Sequence, residues 1–167
     1  DEIWSFSPSV AEGELLVMSD PGNVDQFDLC AGPGDTVYVA DALDGGHIYF
    51  LRDDGTLGGF ALDPPIGAPY GVAYDSLAHA LFVADASTER IVRVDPRTGN
   101  WTLVATGFSE FQPCCLEIDV PGRRLYVADD GYNRVYEICL EAITAVDETA
   151  PRAAGLALRA YPNPFNP

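Results

Sequence analysis

No stretch of 18 or more apolar residues occurs in the 167-residue chain, so no segment of it can be a transmembrane helix. No Cys-x-x-Cys occurs among its four cysteines, which removes the usual spacing of a zinc site. No glycine-rich loop follows a strand pattern and opens a helix pattern. Gly45-Gly46 and Gly58-Gly59 therefore read as turns or strand irregularities, not phosphate cradles. Helical patterns are themselves missing, because the apolar runs are too short for a good helix. Positive charge is scarce: nine Lys and Arg stand against 26 Asp and Glu, a formal net charge of −17. Such a surface repels phosphate backbones and anionic headgroups, which argues against nucleic acid and membrane surfaces as partners. It serves solubility first; its sharper reading is cation binding.

What is present is repetition. Val37-Tyr38-Val39-Ala40-Asp41 returns as Leu81-Phe82-Val83-Ala84-Asp85 and again as Leu125-Tyr126-Val127-Ala128-Asp129, each time after 44 positions. Other segments follow the same ungapped interval. Ile91-Val92-Arg93-Val94 lines up with His47-Ile48-Tyr49-Phe50 and Val135-Tyr136-Glu137-Ile138, and Trp101-Thr102-Leu103-Val104 with Leu57-Gly58-Gly59-Phe60. A fixed period of this length marks a repeat architecture. Each unit carries four short runs rich in β-branched and aromatic residues, separated by turn residues such as Asp95-Pro96-Arg97-Thr98-Gly99-Asn100. Four strands per repeat fit one blade of a β-propeller. The fold class read from this is all-β, a partial propeller of about three four-stranded blades. Strands are expected near 37–41, 48–51, 71–75, 80–85, 91–95, 101–105, 115–119, 124–128 and 134–139, with residues 1–20 supplying two more. Since rings use about four to eight blades, the chain is expected to be a segment of a larger, six-bladed ring. Its missing blades would come in cis or from a second copy.

The pattern apolar-Tyr/Phe-Val-Ala-Asp, a short loop, then Asn/Glu-Arg-Ile/Val resembles the NHL repeat family. Asp129-Asp130-Gly131-Tyr132-Asn133-Arg134-Val135 is its best copy; Gly46-His47 departs from it. The YWTD propellers of lipoprotein receptors and the gluconolactonase-like propellers share related patterns. The resemblance covers residues 1–143 and implies a propeller. Residues 144–160 read as a linker. Tyr161-Pro162-Asn163-Pro164-Phe165-Asn166-Pro167 resembles the opening of the C-terminal sorting domains of bacterial type IX secretion. That resemblance implies a truncated sorting domain over 161–167 and an extracellular or bacterial cell-surface location.

The four cysteines, Cys30, Cys114, Cys115 and Cys139, are compatible with disulfides or with free buried thiols. Strand alternation would send the Cys114 and Cys115 side chains to opposite faces. In the 44-residue register Cys30 takes the place of Tyr74 and Ile118 on an inner strand.

Residues repeated in every blade have a structural explanation. Asp41, Asp85 and Asp129 end their strands and are expected to accept backbone amides of the following loop, with Arg90 and Arg134 pairing with carboxylates. No catalytic set and no metal site is assigned, although acidic oxygens on such loops would suit calcium. His47 and His79 fall on opposite rims, so they do not share a site. The ligand-binding candidates lie on the loop face and axial channel: Gln26, Asp44, His47, Tyr70, Glu89, Glu110, Tyr132 and Asn133. The functional reading is a secreted or surface-displayed, non-enzymatic module that binds a protein, peptide or glycan there and needs no cofactor. The alternative is a metal-dependent hydrolase or lyase of gluconolactonase-like type, which needs a central Glu/Asn/Asp set.

Overall fold

A computed structural model describes residues 2–6, 13–18, 26–42, 46–106, 113–130, 134–140 and 158–162. Strands β1 (Glu2–Phe6) and β2 (Gly13–Met18) pair as a two-stranded sheet. Strands β3 (Gln26–Ala31), β4 (Val37–Asp41), β5 (His47–Leu51) and β6 (Leu57–Ala61) form the first four-stranded sheet in chain order. Strands β7 (Pro69–Asp75), β8 (Ala80–Asp85), β9 (Arg90–Val94) and β10 (Trp101–Ala105) form the second. Strands β11 (Pro113–Asp119), β12 (Arg124–Asp129), β13 (Arg134–Cys139) and β14 (Leu158–Pro162) form the third. Every pairing is antiparallel. The first strands β3, β7 and β11 pack side by side. The result is an unclosed arc of three β-propeller blades, and each strand expected from the sequence is present.

The middle blade explains the apolar phrase. Along β8, Leu81 and Val83 face the first blade while Phe82 and Ala84 face the third. All six β8 residues are buried, so alternation of polar and apolar residues disappears. In β12 alternation reappears: Leu125 and Val127 are buried against the middle blade, whereas Tyr126 and Ala128 on the other face are half-exposed. The repeat pattern assigns Tyr74, Val83, Val92, Val94, Ile118, Val127, Tyr136 and Ile138 to the core between blades; all are buried except Tyr74 and Ile118, which are half-buried at its edge.

The ungapped register holds between the second and third blades but not throughout the first. Asp28 pairs with Ala40 as Gly71 pairs with Ala84, which places β3 and β7 one residue closer than the 44-residue interval. Cys30 is thus the counterpart of Ala73, not of Tyr74. His47 faces Asp41 as Arg90 faces Asp85, so His47 stands in the arginine position rather than that of Ile91. Loops of the first blade exchange single residues, and the exchanges cancel over the period.

Each first strand carries an extra residue near its start. The ladder passes from Gln26–Asp41 to Asp28–Ala40, from Pro69–Asp85 to Gly71–Ala84, and from Pro113–Asp129 to Cys115–Ala128. Phe27, Tyr70 and Cys114 are the bulged residues. The bulge removes the alternation expected of Cys114 and Cys115: both oppose Ala128. All four cysteines are free.

The turns between first and second strands share a left-handed residue just before the second strand: Asp35 at φ 57°, His79 at φ 50° and Arg123 at φ 52°. In the last, Arg123 Nη1 reaches Asp75 Oδ2 of the preceding blade at 2.7 Å. Strand β14 begins at Leu158, inside the span expected as linker. The free edge of β13 offers unpaired backbone groups that an extended segment can take up. Pro162 lies at the strand end opposite Arg134, where a missing donor matters least. The remainder of the expected linker and of the Pro-rich heptapeptide lies outside the described residues.

Two-sided burial makes a sharp prediction at Val83, which has no exposed surface. Val83→Asp places an unpaired charge between blades and should remove the cooperative melting transition, a loss of about 4 kcal/mol or more. Phe82→Ala should cost about 3–5 kcal/mol through the cavity it leaves. Thermal denaturation followed by circular dichroism checks both.

Candidate functional site

The repeated aspartate at the end of each second strand is buried: Asp41, Asp85 and Asp129 are all nearly inaccessible. Asp85 shows what it does. Its Oδ1 accepts from the Ala68 amide at 3.2 Å, the Ser87 amide at 3.2 Å and the Ser87 hydroxyl at 2.7 Å. Its Oδ2 accepts from Thr88 Oγ1 at 2.6 Å and from Arg90 at 3.0 Å. Burial by itself would raise this carboxyl, but the Thr88 and Ser87 hydroxyls, the Ala68 amide and Arg90 outweigh it and hold it below the usual carboxylate range. This carboxylate joins the entrance to β7, the loop after β8 and the start of β9.

The loop-face candidates distribute along that rim. Gln26 and His47 stand on either side of Asp41 in the ladder. The His47 ring stacks on Tyr49, with centroids 6.1 Å apart, and its buried Nδ1 has no hydrogen-bond partner among the described residues. Tyr70 is the half-buried bulged residue of β7. Glu89, at φ 53°, precedes Arg90 as Gly46, at φ 84°, precedes His47. Only glycine tolerates the Gly46 site, because a Cβ there would run into the Ile66 carbonyl. Asp44, Glu110, Tyr132 and Asn133 lie outside the described residues. Arg134 is exposed at the start of β13, opposite Asp129.

Two clefts open on the opposite rim, among the turns that end the first and third strands. Neither is lined by a loop-face candidate. The first, of about 560 Å³, lies along the inner strands and is lined by Asp28, Cys30, Tyr74, His79 and Glu117 among others. Asp28 binds across to the next blade: it accepts the amides of Leu29 at 2.9 Å and Val72 at 3.0 Å. Burial nevertheless pushes its carboxyl above the ordinary value, with Glu117 adding repulsion. Burial, then Asp28 and Glu117, push the Cys30 thiol up to about 12, which leaves it an unreactive thiol.

The second cleft is a groove of about 1040 Å³ between the first and second blades. Its wall is aromatic. Tyr38 and Tyr74 stack with centroids 5.9 Å apart. Trp101 donates its indole N–H to the Pro64 carbonyl at 2.6 Å. The chain contains no lysine, and three of its nine arginines, Arg52, Arg93 and Arg97, line this groove. Arg52 lies over the Phe50 ring at 4.9 Å. Arg97 chelates Asp95 at 3.1 and 3.0 Å, and that contact holds the Asp95 carboxyl down. Tyr74 and His79 belong to both clefts, with Tyr74 Oη 3.3 Å from His79 Nδ1.

Sequence reasoning named His79 only to set it apart from His47, named Tyr74 as core, and passed over Asp28 and Arg52. Asp28 carried a signal: a carboxylate stands in a first strand where the other blades have Gly71 and Cys115. Among the described residues no three His, Cys, Asp or Glu side chains cluster as a metal site would require.

No family model matches the chain. It is similar to NHL repeat-containing protein 2 of Bos taurus, 29% identical over 103 residues, covering 54% of this chain and 14% of that protein. Among solved structures it is similar to a chain of a nidogen/laminin complex, with a TM-score of 0.64 and 25% identity over 78% of this chain and 48% of that one. It also resembles virginiamycin B lyase from Staphylococcus aureus, with a TM-score of 0.55 and 13% identity over 85% of this chain and 44% of that one. The chain thus spans less than half the length of each of these proteins. The likeness to the lyase shows the fold alone.

The Asp85 hub predicts a pH dependence. Its folded pKa lies below the unfolded value of 3.8, so its stabilisation is present above that value and is lost as pH falls through the folded pKa. Asp85→Asn leaves Arg90 without its charge partner and should cost about 3–5 kcal/mol at pH 7. Urea midpoints at pH 7 and pH 3 should differ less in this variant than in the wild type.

Proposed function

We propose that the chain is a non-enzymatic β-propeller binding module whose ligand is an extended protein segment held in the groove between the first and second blades. The observation that carries this reading is the groove's composition. In a chain with a net charge of −17, three of nine arginines gather on a wall of stacked and half-exposed aromatic rings. Aromatic rings and arginine are the side chains that contribute most per contact at protein interfaces. Arg52 and Arg93 would meet carboxylates of the ligand, while Tyr38, Tyr74 and Trp101 would receive its apolar side chains. The nidogen/laminin neighbour is an assembly of two proteins, which supports a protein partner over a small molecule. The acidic remainder of the surface would steer the partner's acidic segment to this groove by repelling it elsewhere.

An extracellular or bacterial cell-surface location belongs to the same reading. It rests on the resemblance of Tyr161–Pro167 to type IX sorting domains.

The test is selection of peptides from a random display library against the intact chain, followed by titration of the selected peptides by fluorescence anisotropy. The selected sequences should be rich in Asp, Glu and aromatic residues. Arg52→Ala combined with Arg93→Ala should weaken them at least about tenfold, with a reduced salt dependence, as expected for a lost charge-assisted contact of about 1.4 kcal/mol or more. Glu89→Ala on the other rim should leave binding unchanged. Peptides that respond to Tyr70→Ala and Glu89→Ala but not to the arginine changes would move the site to the loop face and overturn the groove.

A further inference from the structure

Cys114 and Cys115 have no part in the groove. They lie at the start of the inner strand β11, and their chemistry follows from the bulge. In a regular strand neighbouring thiols point to opposite faces and cannot react with each other. Here the bulge sets both residues against the single residue Ala128, so the alternation that would part their side chains is lost. Cys115 is exposed to solvent. Cys114 is half-buried, with its thiol 3.6 Å from the Ala128 carbonyl oxygen.

We propose that Cys114 and Cys115 form a vicinal dithiol site, which chelates thiophilic trivalent arsenicals and closes reversibly to a disulfide on exchange with low-molecular-weight disulfides. The sulfur chemistry runs in one direction. Burial, then the neighbouring Cys115, push the Cys114 thiol up to about 11, so it is the poorer initial nucleophile. The exposed Cys115 thiolate attacks a sulfur of the external disulfide and expels one thiolate. Cys114, deprotonated in turn, attacks the Cys115 sulfur of the mixed disulfide and expels the second. Two protein thiols are oxidised to one disulfide, and one external disulfide is reduced to two thiols. Adjacent Cα atoms are about 3.8 Å apart, shorter than the roughly 4.4–6.8 Å of ordinary disulfides, so the closed ring is strained and easily reopened. That sets it apart from a structural staple. Cys30, half-buried beside Asp28 and pushed up to about 12, offers no competing thiolate.

The experiment uses the intact chain. It is treated with glutathione disulfide, digested with trypsin and weighed by mass spectrometry. No Lys or Arg lies between Arg97 and Arg123, so one peptide, residues 98–123, holds both cysteines. That peptide should become lighter by two hydrogens and should recover its mass with dithiothreitol. One equivalent of phenylarsine oxide should form two As–S bonds, its oxygen leaving as water with the two thiol protons and arsenic staying trivalent, and so protect both thiols from iodoacetamide. Cys114→Ser and Cys115→Ser should each abolish both effects, and the Cys30→Ser/Cys139→Ser double variant should retain them. A stable glutathione adduct on Cys115 beside a free Cys114 would overturn the proposal. So would a bridge from either residue to Cys30, Cys139 or a second chain, or no reaction with either reagent.

Discussion

A buried carboxylate ends the second strand of each blade, and in the middle blade the arrangement of strand and loop depends on it. Asp85 spends both oxygens on groups that no sheet ladder could satisfy: a loop amide, two hydroxyls, a further amide and a guanidinium. Those partners come from two separate pieces of chain, the entrance to β7 and the loop that runs into β9. Their convergence fixes where the inner strand enters the blade and where the third strand leaves the loop. The apolar face-to-face packing of Leu81, Phe82, Val83 and Ala84 then follows, because β8 is held in the register that buries both its faces. A charge buried without such partners would cost several kcal/mol. Strand position and loop conformation are therefore set together.

Much of this was legible in the amino-acid order. The fixed interval between Asp41, Asp85 and Asp129 located every second strand, and the β-branched runs beside them located the rest. What escaped was local and compensating. The first blade lengthens the loop before His47 and shortens neighbouring turns, so the overall period stays constant while β3 and β5 shift by one. A spacing argument sees the sum and not its parts. The bulge in each first strand was equally invisible, since Phe27, Tyr70 and Cys114 have nothing in common but their place.

The candidate site was less legible than the fold. Ligand residues were sought on the rim where loops are longest, yet both described clefts open on the rim of short turns. A turn contributes little surface itself. It exposes what lies beneath, here the start of β4 and the ends of β5 and β7 with Tyr38, Phe50 and Tyr74. The repeat pattern had already assigned Tyr74 to the core, and stacking on Tyr38 leaves it serving core and cleft at once. Arg52 and Arg93 were hidden for another reason: in so acidic a chain an isolated arginine reads as a counter-ion, and only three dimensions bring them to one wall.

The left-handed residue before each second strand has a wider consequence. Asp35, His79 and Arg123 share one backbone conformation and differ entirely in side chain. The hairpin asks only for a residue that accepts that geometry and leaves its chemistry unspecified. Arg123 uses the freedom to clamp a neighbouring blade through Asp75, and His79 uses it to meet Tyr74. Coupling between blades is thus written at a position that the hairpin leaves open. A ring built this way can stiffen at one junction and relax at the next by single substitutions, without redrawing any strand.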